Sequence, residues 1–321
     1  MVRDRSLVTG TLAAIVGATL FGMLGPLSRF GAEAGVTGVA FTAWRAILGA
    51  TSLVLLITIR GQAGASWAAV RSLDRRGALT LTLAGTMGVM LNTAMFTAFG
   101  LIPIALALML FYIYPAGVAV VDVLAGHERA TLPRIAALGL SSAGVVLVLL
   151  GGLDGGVGVA VDPLGVVLGL VAAASQVVFM AVSRNGYRTV PAPAATLVIL
   201  LISVVGASTI ALLAGQADGM AAPLRNAAAW PPLLLAGVAG AGVSSLLLLV
   251  AIRRIGGTRT GVLMLLEPVV GVLLAGLWLG ETLGPLQGAG GALVLAGALV
   301  LQVRAEPDLD PVVEAASGPL F

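Results

Sequence analysis

The 321-residue chain is 59% hydrophobic and only 10% charged, with a formal net charge of +3 and a mean hydropathy of +1.09. Soluble domains are about 45–50% apolar and about 25% charged, so a soluble fold of this composition would lack the polar residues to cover its surface. The composition therefore predicts an integral membrane protein with several spans. The lack of cysteine excludes thiolate chemistry and disulfides, and the single histidine, His127, excludes any site that needs two imidazoles.

Ten apolar runs are long enough to cross a bilayer core, which needs about 20 residues per helix. In chain order they cover 8–29, 37–59, 77–98, 102–124, 132–151, 163–184, 191–214, 230–251, 257–280 and 284–303. The first run follows two arginines as a secretory signal does, but its length and the nine runs after it favour a retained helix. We expect residues 152–162 to be a linker and the acidic tail 304–321 to be disordered.

The arginines set the expected orientation, because positive residues concentrate in cytoplasmic loops. All 17 basic residues are arginine, and they fall between the apolar runs instead of forming one basic face, which argues against nucleic-acid binding. With a cytoplasmic N-terminus, fourteen arginines lie inside and only Arg29 and Arg225 lie outside, while Arg45 is within a span. We therefore expect a multi-pass protein of the cell (inner) membrane with both termini in the cytoplasm.

The two halves of the sequence share a motif. Tyr114-Pro115 is followed by Glu128, thirteen residues after the proline, and Glu267-Pro268 is followed at the same distance by Glu281. Ser28-Arg29-Phe30-Gly31 likewise matches Ser183-Arg184-Asn185-Gly186. Each half, 8–151 and 163–303, would contain five spans, and an odd number inverts the second half relative to the first. This predicts an all-α membrane protein of two inverted five-helix repeats around a central cavity, a plan common in secondary transporters.

The doubled pattern of a mid-helix proline, a glutamate at the helix end and a glycine-rich last helix resembles the EamA family of the drug/metabolite transporter superfamily. The resemblance covers nearly the whole chain and implies a ten-helix carrier that exports amino acids or other small metabolites. Small multidrug members of that superfamily use a carboxylate in the first helix, and the sequence has none between Leu7 and Phe30. Cation–drug exchange of that kind is therefore not expected.

Two charges within the apolar runs are the sharpest candidate site residues. Glu267 lies about ten residues, roughly 15 Å, into the ninth run, and Arg45 lies about eight residues, roughly 12 Å, from the outer end of the second. Intramembrane charges are costly and are usually paired or functional. Glu267 could bind solute or a proton, or it could pair with Arg45 and only tie helices together. Pro268 also removes the N–H that would bond the Met264 carbonyl.

The remaining candidates are polar or aromatic side chains expected to line the cavity with Glu267 and Arg45. They are Asn92, Met95, Tyr112, Tyr114, Gln176, Phe179, Ser244 and Ser245, with helix breaks at Pro115 and Pro268. Side chains with an apolar body and a polar tip suit a small amphipathic solute, although each of them can equally join two helices.

Two further patterns favour structural roles. Glu128 and Glu281 each precede a helix, where a carboxylate is stabilised by unpaired N–H groups, so we expect them to cap the helix that follows. A ladder of small residues in the last run should pack against Gly139 and Ala143 of the fifth run, or else form a homodimer contact. Its members are Gly284, Gly288, Ala292 and Ala296.

The leading interpretation is a secondary transporter of a small solute, most simply an exporter, with proton coupling left open. A flippase for a lipid-linked substrate and an intramembrane lipid-modifying enzyme are alternatives. The scarcity of ionisable residues within the runs argues against the enzyme, so we expect no catalytic residue, cofactor or metal site.

The arginine asymmetry makes the topology testable by thiol labelling, since the chain has no native cysteine. An impermeant thiol reagent added to intact cells should modify Gly156→Cys in the linker and should spare Gly64→Cys. The opposite labelling pattern would reverse the assigned orientation.

Overall fold

A computed structural model describes residues 2–124, 131–153, 162–183, 187, 189–255, 260 and 263–304 of the protein. All the regular structure in these residues is helical. Residues 154–161 of the predicted linker, the tail beyond Arg304, His127 and Glu128 lie outside the described residues, whereas 152 and 153 belong to the end of the helix in the fifth run.

The helices of the first half follow the apolar runs closely. They are α1 (Val2–Gly22), α2 (Leu24–Glu33), α3 (Gly38–Ile59), α4 (Ala63–Arg71), α5 (Arg75–Leu101), α6 (Ile104–Phe111), α7 (Tyr114–Leu124) and α8 (Leu132–Leu153). The first run is divided at Met23, and the fourth is divided between Phe111 and Tyr114. Side chains fix the starts of the long helices: the Thr37 hydroxyl accepts from the N–H of Ala40, and Asp74 accepts from Gly77.

The second half repeats this order of elements. Its helices are α9 (Pro163–Ser183), α10 (Ala192–Leu213), α11 (Ala217–Arg225), α12 (Trp230–Leu234), α13 (Ser244–Ile255), α14 (Leu266–Leu279) and α15 (Pro285–Arg304), with a π-helical segment, Leu235–Val243, between α12 and α13. The apolar sequence of the eighth run predicts a regular helix, so the π segment is a correction. π segments are rare and are frequently found at functional sites.

Six of these helical stretches are long and apolar enough to cross a membrane. They are Leu7–Glu33, Gly38–Ile59, Arg75–Leu101, Pro163–Ser183, Ala192–Leu213 and Ala227–Leu248. Shorter apolar helices cover Ile104–Val118, Leu266–Leu279 and Pro285–Val300. The protein is therefore a helical multi-pass membrane protein.

Two short helices, α4 and α11, lie between the second and third long helices of each half, and the sequence analysis did not foresee them. The α4 helix has no buried residue. In contrast, α11 is tied to the helix bundle, because the Trp44 indole N–H donates to the Met220 carbonyl at 2.9 Å. Their equivalent places in the chain are a further likeness between the halves.

Helix packing is also matched between the halves. The α1 helix packs against α13 and α14, and its counterpart α9 packs against α5 and the α6–α7 pair. Three further contacts join counterparts directly: α3 with α10, α6 with α14, and α8 with α15. Exchanging the two halves therefore maps these packing contacts onto each other.

The contact between α8 and α15 confirms the predicted pairing of the fifth and tenth runs, but on other residues. Gly144 faces α15 so closely that a Cβ on it would lie 2.6 Å from the Gly290 carbonyl oxygen. Gly139 and Gly288 of the predicted ladder have no atom near such a Cβ, and Ala143 and Ala292 are exposed. The predicted ladder is therefore wrong as the α8–α15 interface: it faces away, and the buried face of α15 carries Gly290, Gly291, Val294 and Ala298.

Gly144→Ala should destabilise this interface, because the added methyl group overlaps a backbone carbonyl that cannot move freely. Overpacking of this kind costs about 1–3 kcal/mol of unfolding free energy. Thermal unfolding of the purified protein in detergent measures the loss. Gly139→Ala is the matched control and should unfold no earlier than wild type, since alanine favours a helix by about 1 kcal/mol over glycine. Equal stability of the two variants would contradict the assigned interface.

Candidate functional site

Arg45 is buried in α3, with 8% of its surface exposed. Its Nη1 donates to the Asn92 side-chain oxygen on α5 at 2.9 Å, and its guanidinium carbon lies 5.6 Å from the centre of the Phe96 ring. The Asn92 amide in turn donates to the Gly88 carbonyl at 2.8 Å. The Nε atom of Arg45 is buried and has no hydrogen-bond partner. The structure thus holds a buried cation firmly while leaving part of its donor capacity unused.

Glu267 lies in the first turn of α14, against aromatic side chains of the first half. The Tyr112 hydroxyl interacts with the Glu267 carboxyl group, and it also lies 3.4 Å from the Met264 carbonyl oxygen. Pro268 has no N–H to donate to the Met264 carbonyl, so the sequence predicts this acceptor to be free. The Tyr112 hydroxyl is the donor that lies near it. Tyr112 is 2% exposed, and its ring is tilted against that of Tyr114 and edge-on to that of Phe111, with ring centres 5.8 Å and 5.5 Å away.

Arg45 and Glu267 interact electrostatically across the site. They form no direct ion pair among the described residues, and the guanidinium donates to the Asn92 side chain. The sequence leaves two roles open for Glu267, namely binding a solute or a proton and pairing with Arg45. The observed arrangement lies between them. The two charges interact without a direct ion pair, and Nε of Arg45 has no hydrogen-bond partner.

The other predicted cavity residues are distributed more widely. Met95 is buried in the main core, and the Ser244 hydroxyl donates to the Ala239 carbonyl at 2.7 Å within the π segment. Gln176, Phe179 and Ser245 are partly exposed. Neither Gln176 nor Ser245 forms a hydrogen bond with another described residue. The two breaks precede the prolines, since Pro115 is the second residue of α7 and Pro268 the third of α14.

A cavity that the sequence analysis missed opens where α2 ends and α3 begins. Its volume is about 240 Å³. It is lined by residues of α2, α3, α5 and the turn before α11, namely Ser28, Arg29, Ala32, Thr37, Gly38, Val39, Phe96, Thr97, Gly100, Leu101 and Gln216. Arg29 was visible in the sequence only as part of the repeated Ser-Arg motif, and nothing there indicated a cavity.

Beside this cavity, three elements are joined through Glu281. One carboxylate oxygen accepts from the N–H of Ile104 at 2.8 Å, and the other lies 3.4 Å from Nη2 of Arg29. The same Arg29 nitrogen donates to the Ile102 carbonyl at 3.1 Å. Glu281 therefore caps α6 of the other half and not α15, which corrects the sequence-based assignment. We call the contact among Arg29, Glu281 and Ile104 the outer clasp, after the side of the membrane on which the arginine pattern predicts Arg29 to lie.

Burial is the main influence on the Glu281 carboxyl group, which lies between α14 and α15. It raises the pKa of Glu281 above its ordinary value, while the Ile104 N–H and the Arg29 charge oppose that increase. The carboxylate consequently takes up a proton at a higher pH than an exposed glutamate does. Protonation removes the charge that attracts Arg29, so acidification should loosen the outer clasp.

The family model described as "EamA-like transporter family" matches the chain twice, over residues 8–150 and 163–303. A solved crystal structure, described only as that of a protein, is 20% identical and superposes with a TM-score of 0.59. The alignment covers 92% of this chain and 98% of that one, and the likeness concerns the fold alone. No curated protein matches the sequence.

Glu281→Gln should loosen the outer clasp at every pH, because the amide is uncharged and cannot attract Arg29. A buried reporter, Val39→Cys, lines the adjacent cavity and should react faster with an impermeant thiol reagent when combined with Glu281→Gln. With Glu281 intact, the labelling rate should rise as the pH falls, once corrected for the thiolate fraction.

Asp218→Asn is the matched control for this experiment, since it removes an acid from the exposed Asp218–Arg225 pair and leaves the clasp intact. It should not change labelling. If Glu281→Gln left the labelling rate and its pH dependence unaltered, the clasp would not control the cavity.

Proposed function

Because the chain belongs to the EamA-like transporter family, we propose that it is a secondary transporter that exports small metabolites, such as amino acids, by alternating access. Its ten spans form two inverted five-helix repeats, 8–151 and 163–303, around a central site, and both termini lie in the cytoplasm of a cell (inner) membrane. No bond-making step belongs to this activity.

The observation that carries the proposal is the pair of opposite charges that the two halves bring into the helix bundle. Arg45 of the first half and Glu267 of the second lie among apolar helices without a direct ion pair. Unsatisfied charge in a membrane interior is costly, and it commonly marks a solute or proton pathway. A zwitterion satisfies both groups at once, with its carboxylate at Arg45 and its ammonium at Glu267.

The packing of the helices supports alternating access. Counterpart helices of the two halves form matched contacts, so a rearrangement of one half has an equivalent in the other. The breaks beside Pro115 and Pro268 are at matching positions, where a helix bends with little loss of hydrogen bonding. A homodimer would use the exposed ladder on α8 and α15, because small residues let helices approach closely.

Transport of radiolabelled amino acids into proteoliposomes under an imposed pH gradient tests this function. Glu267→Gln cannot bind or release a proton, so it should abolish gradient-driven uptake while the protein stays folded. Arg45→Gln should raise the KM for a carboxylate-bearing solute by about tenfold or more, since a charge-assisted hydrogen bond is worth about 1.5–3 kcal/mol.

A purely structural role for the two charges predicts a different result. Each single substitution would then reduce the folded fraction, and the double variant Arg45→Ala/Glu267→Ala would be more stable than either single variant. Arg225→Gln, on the exposed surface, serves as the control and should transport normally. Full gradient-driven uptake by well-folded Glu267→Gln would exclude proton coupling through this residue.

A further inference from the structure

The unpartnered buried polar atoms of the described residues belong to three residues, each of which is related to Phe96. These atoms are Nε of Arg29, Nε of Arg45 and Oγ1 of Thr93. Arg29 lines the same cavity as Phe96, Arg45 lies over the Phe96 ring, and Thr93 is one helical turn before Phe96 and Thr97 on α5. Buried polar groups normally have hydrogen-bond partners, so three unpartnered atoms in one region indicate that a bound group could supply the partner.

Phe96 contacts both the cavity and Arg45. Its ring is 4% exposed and is held edge-on to Phe41, with ring centres 4.9 Å apart. One part of Phe96 lines the cavity, and its ring carries the guanidinium of Arg45. Phe96 therefore borders both the cavity that Arg29 lines and the guanidinium of Arg45.

The free polar groups at the cavity are donors. The Thr37 hydroxyl donates to the side-chain oxygen of Gln216 at 2.6 Å, which leaves the Gln216 amide nitrogen to donate elsewhere. The hydroxyls of Ser28 and Thr97 are already committed to backbone carbonyls at 2.7 Å. The guanidinium of Arg29 adds a positive charge that a single carboxylate, Glu281, balances from the clasp. Donors and positive charge together suit an anionic group.

We propose that this cavity is an outer binding site for an anionic group, a carboxylate or a phosphate, of the transported solute, with Phe96 as the partition between it and Arg45. The inference rests on the proposed transport function for its place on the solute's path. An anion here competes with Glu281 for Arg29, so occupancy of the site loosens the outer clasp. Binding of the solute's anionic group in this cavity therefore also releases the contact between α6 and the loop before α15.

Equilibrium binding to the purified full-length protein tests the site without requiring transport. Succinate and inorganic phosphate are the two anion probes, and methylammonium is the cation control, each measured by isothermal titration. At least one anion should bind, and the probe that binds identifies the group as carboxylate or phosphate. Arg29→Gln should weaken that binding about tenfold or more, because it removes a charge-assisted hydrogen bond.

Gln216→Glu is a second variant that keeps the fold, since its carboxylate oxygen still accepts from Thr37. Its negative charge should weaken anion binding, whereas Glu281→Gln should strengthen it by freeing Arg29. Arg225→Gln removes an exposed arginine that does not line the cavity and should bind the anion as wild type does.

Phe96→Leu tests the partition. An anion in the cavity should reach Arg45 as well as Arg29 once the ring is gone, so Phe96→Leu should bind the anion more tightly than wild type. Arg45→Gln in the Phe96→Leu background should reverse that gain. Equal anion affinity of wild type and Phe96→Leu would contradict the partition.

The outcomes separate the two proposals. Failure of both anions to bind, or equal binding by wild type and Arg29→Gln, would overturn the outer site and leave the transport function standing. Anion binding that depends on Arg29, in a protein that moves no solute in proteoliposomes, would support the site as an anion site while refuting transport.

Discussion

A guanidinium held inside an apolar helix bundle is the constraint on which the rest of this structure depends. Arg45 cannot leave its span without breaking α3, so its neighbours must satisfy it where it is. Asn92 supplies a hydrogen bond and Phe96 supplies a ring face, and both come from α5. These contacts fix α3 against α5, but they leave Nε without a partner. The protein thus keeps a cation in a nonpolar interior with part of its hydrogen-bonding capacity unused. This favours a role in binding a solute over a role limited to joining helices.

Several polar contacts around the site join one half of the chain to the other. Arg45 faces the charge of Glu267, Tyr112 reaches the backbone of Met264, and Glu281 caps α6. Contacts between halves are the ones that must change when the halves move relative to each other. In the outer clasp the interaction is an ion pair plus a capping bond, both partly exposed, and such contacts can exchange at modest cost. The matched helix packing suggests that the halves keep their internal structure while these contacts exchange.

The sequence predicted those features that depend on local composition. Apolar runs gave the helices, and the missing N–H of Pro268 indicated a free carbonyl at Met264, which Tyr112 approaches. Features that depend on tertiary contact were not predictable. Arg29 and Glu281 are 252 positions apart, so no local pattern connects them. The small-residue ladder failed because α15 is rich in glycine on several faces, and spacing alone could not identify the one that meets Gly144. The π segment likewise has no signal in an apolar sequence.

The central claim is that the region around Arg45 opens to each side of the membrane in turn. Thr93→Cys is a suitable reporter, because the Thr93 hydroxyl has no partner to lose and the residue is on α5 between Asn92 and Phe96, the two residues that contact Arg45. Its reaction with an impermeant thiol reagent should be measured in right-side-out and in inside-out vesicles, with and without a transported solute. The account predicts reaction from both sides and protection by solute in both. Reaction from one side only, or none from either side, would contradict it.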